Sequence, residues 1–235
     1  MTASFSAVVA LAVTVGFAVG QSVSSASAQA QPGAAVPPVP GIYADSGNRL
    51  PIITRDALDD FGRTEYDEIQ ADIRAGRMLA GLSGPVGIRL YSPHVSDGTL
   101  RSNLYLRFES GIGRRFYELA VLVTAREVNQ QFEWTAHEPA ARQAGVEQSV
   151  IDVIKFRRSA AGLAARDALV IQIGRDALHN RRVDRDTYNA AVRTFGEKNL
   201  VDVVAVMGEY ASMAVLLNTF DQQLRPDQTP LLPLP

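Results

Sequence analysis

The stretch ELAVLVTA, Glu118 to Ala125, limits the fold more than any other part of the chain. Its apolar side chains fall on all sides of a helix rather than along one stripe, and a helix of that kind must be enclosed by other elements. Elsewhere, apolar residues recur at three and four positions, the helical period. TEYDEIQADIR places Tyr66, Ile69 and Ile73 on one face, with Thr64 as its expected N-cap. TLRSNLYLRF repeats the pattern with Leu100, Leu104 and Phe108, and VEQSVIDVIKF, AARDALVIQIGRDALH, DRDTYNAAVRTF and NLVDVVAVMGEYASMAVLLNTF read the same way. No pair of alternating segments joined by a hairpin signal competes with them. The expectation is an all-α domain of roughly six to eight packed helices. The intervening SGPVGIRLYSPHVSDG, with two prolines and three glycines, reads as a loop.

The chain of 235 residues is long enough for one sizeable core with extensions. AVVALAVTVGFAVG, Ala7 to Gly20, is uncharged, and the small polar stretch after it ends in ASAQA, with Ala28 and Ala30 in the A-x-A arrangement of a cleavage site. Residues 1–30 are therefore expected to be an export signal, giving a secreted or periplasmic product. The apolar run falls short of the roughly 20 residues of a spanning helix, so no stable membrane insertion is expected after cleavage. The signal is atypical, since MTASFS carries no positive charge and the first basic residue is Arg49. Residues 31–48, containing QPGAAVPPVPG, read as a flexible linker. The folded domain is expected over residues 49–222 and a Pro-rich tail over residues 223–235.

Charge and composition exclude several functions. Lysine plus arginine (23) nearly balance aspartate plus glutamate (25), so no bulk field gathers nucleic acid, and no nucleic-acid partner is expected. The chain has no cysteine, which removes disulfides, thiolate metal sites and thiol redox chemistry of its own.

Polar residues interrupt the apolar framework at three places. Glu118 opens the all-round apolar helix, and Arg126 lies two turns later on the same ridge. A carboxylate there is either paired, protonated or beside a wet pocket, or else simply starts the helix with Arg126 exposed at the far end. Glu133 and His137, in EWTAH, stand at i and i+4 with Cβ atoms about 5–6 Å apart, close enough to share a proton or to form an ordinary surface pair. Pro139 must sit in a first turn or kink this helix, and a kink would turn the Thr135 carbonyl toward a pocket. Tyr210 and Asn218 fall on roughly one face of the apolar C-terminal helix and each needs a partner. Gly208 and Ala211 there would let another helix approach closely. His94 and His179 are read as solvated or capping, and three scattered histidines form no metal-binding spacing. There is no Gly-rich phosphate loop, serine elbow or dinucleotide fingerprint.

Taken in order, RRFYELAVLVTAR, NQQFEWTAHEPAARQAG, RRVDRDTYNAAVRTFGEKNLVDVVAVMGEY and MAVLLNTF resemble the carboxymuconolactone decarboxylase family, within the alkylhydroperoxidase D-like superfamily. The resemblance runs from about Thr54 to Phe220. In the peroxidase branch, a C-x-x-C-x-x-x-H motif supplies two thiols, and laid on this chain its histidine falls at His137 and its relay glutamate at Glu118. The cysteine places hold Gln130 and Glu133, so that chemistry is not expected here. The decarboxylase branch is similar in having E-x-x-x-H, matched by Glu133 and His137.

The resemblance implies a helical fold assembling as a homo-trimer or homo-hexamer, with no metal or organic cofactor, acting on a small organic acid or lactone. On that basis His137 is expected to be the general acid or base and Glu133 to orient it. Glu118 is expected to belong to the site, with Arg115 and Arg126 holding a substrate carboxylate and Trp134, Tyr210 and Asn218 lining the pocket. A binding or scaffold protein of the same fold, or a peroxide-related protein relying on a partner's thiol, are the competing expectations.

Overall fold

The computed structural model describes residues 39–235. The apolar run and ASAQA boundary read as an export signal lie outside the described residues, as does most of the linker. Among the described residues there is no strand. The helices are α1 (Asp60–Arg74), α2 (Pro85–Arg89), α3 (Pro93–Leu104), α4 (Gly113–Glu127), α5 (Gln131–Gln143), α6 (Gln148–Lys155), α7 (Ala165–Arg175) and α8 (Arg185–Thr219). Two π turns, Tyr105–Glu109 and Asp176–Asn180, extend α3 and α7.

The all-round apolar helix is α4, and it is central. No side chain from Tyr117 to Ala125 is more than 1% exposed, because α5, α7 and α8 all pack on it. Each Leu or Val fully buried there is worth about 1.5–3 kcal/mol over an exposed one, so no peripheral position would suit this segment. The approach of α7 depends on Gly174, where a Cβ would stand 2.3 Å from Val123 Cγ1. The long α8 is broken at Gly196, whose φ of 74° is non-helical, so it runs as two helices end to end. Its inner side joins the core through Val203, Val206, Met207 and Tyr210, while Val201, Val204 and Val215 remain exposed. Its most apolar stretch is long enough to span a bilayer, and half of that stretch is buried within the protein.

Three local expectations are corrected. Asp59, not Thr64, caps α1: its Oδ1 accepts from the Gly62 amide at 2.7 Å, and Thr64 lies inside the helix with its hydroxyl donating to the Asp60 carbonyl. SGPVGIRLYSPHVSDG is not a loop but contains α2 and the first half of α3. Pro85 and Pro93 stand at the starts of these helices, where a missing N–H costs nothing and a fixed φ favours the turn. Gly208 is exposed, and nothing lies within 4 Å of where its Cβ would be, so no helix uses it for close approach.

Both ends of the domain are tied down. The Arg49 amide donates to the Phe220 carbonyl at 2.9 Å, the Gln223 amide to the Gly47 carbonyl at 2.8 Å, and Asn48 Nδ2 to Gln222 Oε1 at 2.9 Å. The end of the expected linker therefore forms an ordered turn against the end of α8. The Pro-rich tail is likewise packed, with Leu232 buried and the Leu231 amide donating to Thr135 Oγ1.

Candidate functional site

Helix α5 presents Glu133 and His137 on one face, and the structure buries both. His137 Nε2 lies 3.5 Å from Glu133 Oε2, longer than a good hydrogen bond. The close carboxylate is Glu118, from the first half of α4, whose Oε2 is 2.7 Å from His137 Nδ1. The expected orienting role of Glu133 thus passes to Glu118, because α4 and α5 pack side by side and bring the two residues together. Glu118 Oε1 accepts from Arg114 Nε at 2.8 Å.

A chain of donors reaches the other ring nitrogen. Asn103 Nδ2 donates to Glu209 Oε2 and to the Tyr117 hydroxyl oxygen, each at 3.1 Å. Tyr117 and Tyr210 share a hydroxyl–hydroxyl bond of 2.9 Å, and the Tyr210 hydroxyl is 3.1 Å from His137 Nε2. Burial pushes the Tyr117 and Tyr210 phenols well above their ordinary values, which keeps both as neutral O–H groups. One assignment that satisfies every member has Tyr117 donating to Tyr210, Tyr210 to His137 Nε2, and His137 Nδ1–H to the Glu118 carboxylate. In this arrangement the ring nitrogen that accepts lies on the Tyr210 side.

That side is a cavity of about 70 Å³ between α2, α3, α5 and α8. Glu133, His137, Tyr210, Asn103, Arg89 and Arg107 supply its polar surface, and Val86, Leu100, Phe132, Ala136 and Met213 much of its apolar wall. Its size suits a small molecule.

The two carboxyls beside His137 are pushed in opposite directions. For Glu118, burial alone would raise the pKa, but His137, then Arg114 and Arg107, outweigh it and hold the carboxyl below its ordinary value. For Glu133, burial dominates, His137 and Arg89 offset it only in part, and the pKa is raised. Glu133 Oε1 has no hydrogen-bond partner among the described residues. One carboxyl therefore favours its anion, and the other, at the cavity wall, is displaced toward its protonated form.

This difference predicts an unusual pH effect. Between the ordinary value of 4.5 and its raised value, Glu133 binds more proton in the folded than in the unfolded chain, so its contribution to stability falls as pH rises through that window. Glu133→Gln, which carries no charge, is expected to be more stable than the parent above the window, by about 1 kcal/mol. The gain should shrink as pH falls toward 4.5. Urea unfolding across pH checks this, and a gain independent of pH would contradict it.

The other residues expected at the site are elsewhere. Arg115 donates to Asp167 Oδ1 at 2.6 Å and Oδ2 at 2.9 Å and also pairs with Glu147, tying α4 to α7. Arg126 is buried, but its Nη1 donates to the Pro233 carbonyl at 2.7 Å, holding the tail. Trp134 is fully enclosed on the neighbouring face of α5, with its indole N–H bonded to buried Glu138. Asn218 accepts from Gln130 Nε2 at 2.8 Å and is exposed. Pro139 lies within α5, and Thr135, whose carbonyl it leaves without a helical donor, does not line the cavity. Of the expected site residues, the structure brings together Glu118, Glu133, His137 and Tyr210.

Arg89, Asn103, Arg107 and Tyr117 were not expected. Asn103 and Arg107 lie within TLRSNLYLRF, three residues after Leu100 and Leu104 and so at the edge of its apolar stripe, and the structure buries them while leaving Phe108 exposed. Arg89 lies in the segment read as a loop. Comparison with family models finds none that matches the chain, and comparison with curated proteins finds no match either.

Proposed function

We propose that this protein is a cofactor-independent acid–base enzyme, a lyase or isomerase of the carboxymuconolactone decarboxylase kind, acting on a small organic acid or lactone. The observation that carries this reading is the pair of carboxyls displaced in opposite directions on either side of His137 at the wall of one cavity. Carboxyls displaced in opposite directions support the roles of proton donor and stabilising anion.

His137 Nε2, exchanging its bond from Tyr210 for one from substrate, accepts a proton from the carbon next to a carbonyl. The C–H bond breaks, the N–H bond forms, and the electron pair moves onto the carbonyl oxygen. Glu133, as the neutral acid, donates its proton to that oxygen. Glu118 balances the positive imidazolium through Nδ1–H. Return of the His137 proton to a different carbon, with the enol O–H proton passing back to Glu133 as the carbonyl re-forms, completes an isomerisation. In a decarboxylation the electron pair comes instead from the bond to the departing carbon dioxide, and a protonated His137 supplies the proton that replaces it. Loss of carbon dioxide comes from the family resemblance, whereas the acid–base pairing comes from the site itself.

The test works without the substrate being identified first. Purified protein in deuterium oxide is incubated with acetoacetate, an unsaturated γ-lactone and an unsaturated monocarboxylate, and mass spectrometry follows deuterium uptake at carbon and loss of carbon dioxide. Protein-dependent exchange or release with at least one compound is expected. A folded protein that does neither with any of them would count against catalysis and favour a binding protein of the same fold.

A further inference from the structure

Among the described residues, two cations in the cavity wall have no counter-ion. Arg89, at the end of α2, is only 8% exposed, and its guanidinium makes no hydrogen bond and no ion pair with any of those residues. Arg107, in the π turn after α3, is equally buried. Its Nη1 donates to the Arg77 carbonyl at 3.1 Å, while its Nε is enclosed and has no partner. Buried guanidinium groups are ordinarily paired, since taking an ion out of water costs several kcal/mol, a loss that only a nearby opposite charge offsets.

The carboxyls within the site do not supply that charge. Glu118 is committed to His137 and Arg114. Glu209 Oε2 accepts from Asn103, and its carboxylate lies within 4.0 Å of no cation among the described residues. Glu133 makes no ion pair with either arginine, its one close basic neighbour being His137 at 3.5 Å. Burial also pushes the pKa of Arg89 down, and the negative charge of Glu209 offsets it only in part.

We propose that Arg89 and Arg107 form the carboxylate-binding end of this cavity, so that its ligand is a small monocarboxylate whose apolar body lies against Val86, Leu100, Phe132 and Met213. The planar guanidinium fork matches a carboxylate with two parallel hydrogen bonds. Arg115 and Arg126, to which the sequence pointed for this task, are engaged by Asp167 and by the tail. The inference rests on reading the cavity as an acid–base site, and it names the end at which the substrate is anchored relative to Glu133 and His137.

The probes are butyrate and its neutral counterpart butyramide, titrated by NMR into the purified protein, the parent beside Arg89→Gln. Butyrate is expected to bind saturably and butyramide at least about 10-fold more weakly, while Arg89→Gln loses about 10- to 100-fold of the butyrate affinity. Arg89 is the informative position because its side chain holds no other group, whereas Arg107 also anchors the Arg77 carbonyl, and its variants risk misfolding. Equal binding of the two probes, no binding of butyrate, or an unchanged Arg89→Gln would overturn the proposal.

Failure of the underlying reading looks different. Butyrate binding that depends on Arg89, without any exchange in deuterium oxide, removes the enzyme and keeps the anion site. Exchange on the unsaturated monocarboxylate that depends on His137 but is untouched by Arg89→Gln keeps the enzyme and removes the anion site.

Discussion

His137→Gln is expected to lower protein-dependent proton exchange by about 10²–10⁴-fold, the usual cost of losing a positioned acid–base group. Glutamine is the informative replacement because its amide can still donate toward Glu118 from roughly the same place, yet it has no nitrogen that takes up a proton near neutral pH. His137→Ala should lose the same activity, but it also leaves Glu118 and Tyr210 without a partner at the centre of the fold, so its loss mixes chemistry with destabilisation. Deuterium uptake with the same three compounds, and circular dichroism to establish the folded fraction, separates the two. A Gln variant that retains activity within about threefold of the parent would remove His137 from the chemistry.

Glu118→Ala should unfold the protein more readily than any other substitution at the site. The carboxylate is fully enclosed and satisfies both His137 and Arg114, and breaking a buried pair by removing one member costs about 3–5 kcal/mol. The loss should fall toward the lower end, because the Arg114 side chain is 33% exposed and can turn its charge to water. The pH dependence runs opposite to that of Glu133. With its folded pKa below the ordinary 4.5, Glu118 binds less proton folded than unfolded, so it contributes stability that is present above 4.5 and lost as pH falls through the folded value. Urea unfolding near neutral pH should therefore show the full difference between parent and variant, and unfolding at more acidic pH a smaller one. An Ala variant as stable as the parent near neutrality would mean that Glu118 is not the anion holding His137.

The placement of α4 was legible in the sequence because the cause is local. A segment apolar on all sides has one low-energy position, the middle, while of the readings open for Glu118 the structure selects the paired one. The spacing of Glu133 and His137 likewise put both on one helix face without reference to the rest of the chain, and Tyr210 on the apolar C-terminal helix announced a buried hydroxyl. The all-α class follows from the same periodicity, whereas Pro85 and Pro93, read as loop residues, open helices that this periodicity did not reveal.

What local pattern does not carry is the identity of a polar group's partner. Arg89, Arg107, Arg115 and Arg126 are the same residue type, and nothing in their neighbours along the chain says that Asp167 and Glu147 take the third, the tail carbonyl takes the fourth, and the first two are left facing a cavity. The exchange of roles between Glu133 and Glu118 has the same origin. Residues four apart on one helix are near each other by geometry, but the packing of α4 against α5 put a carboxylate from another helix closer still. By itself the sequence determined which faces had to be buried, since that depends on the periodicity of each segment. The tertiary structure alone decided which charges were neutralised and which were left for a ligand, since a charge interacts with whatever the fold brings within a few ångströms of it, however far away in the chain.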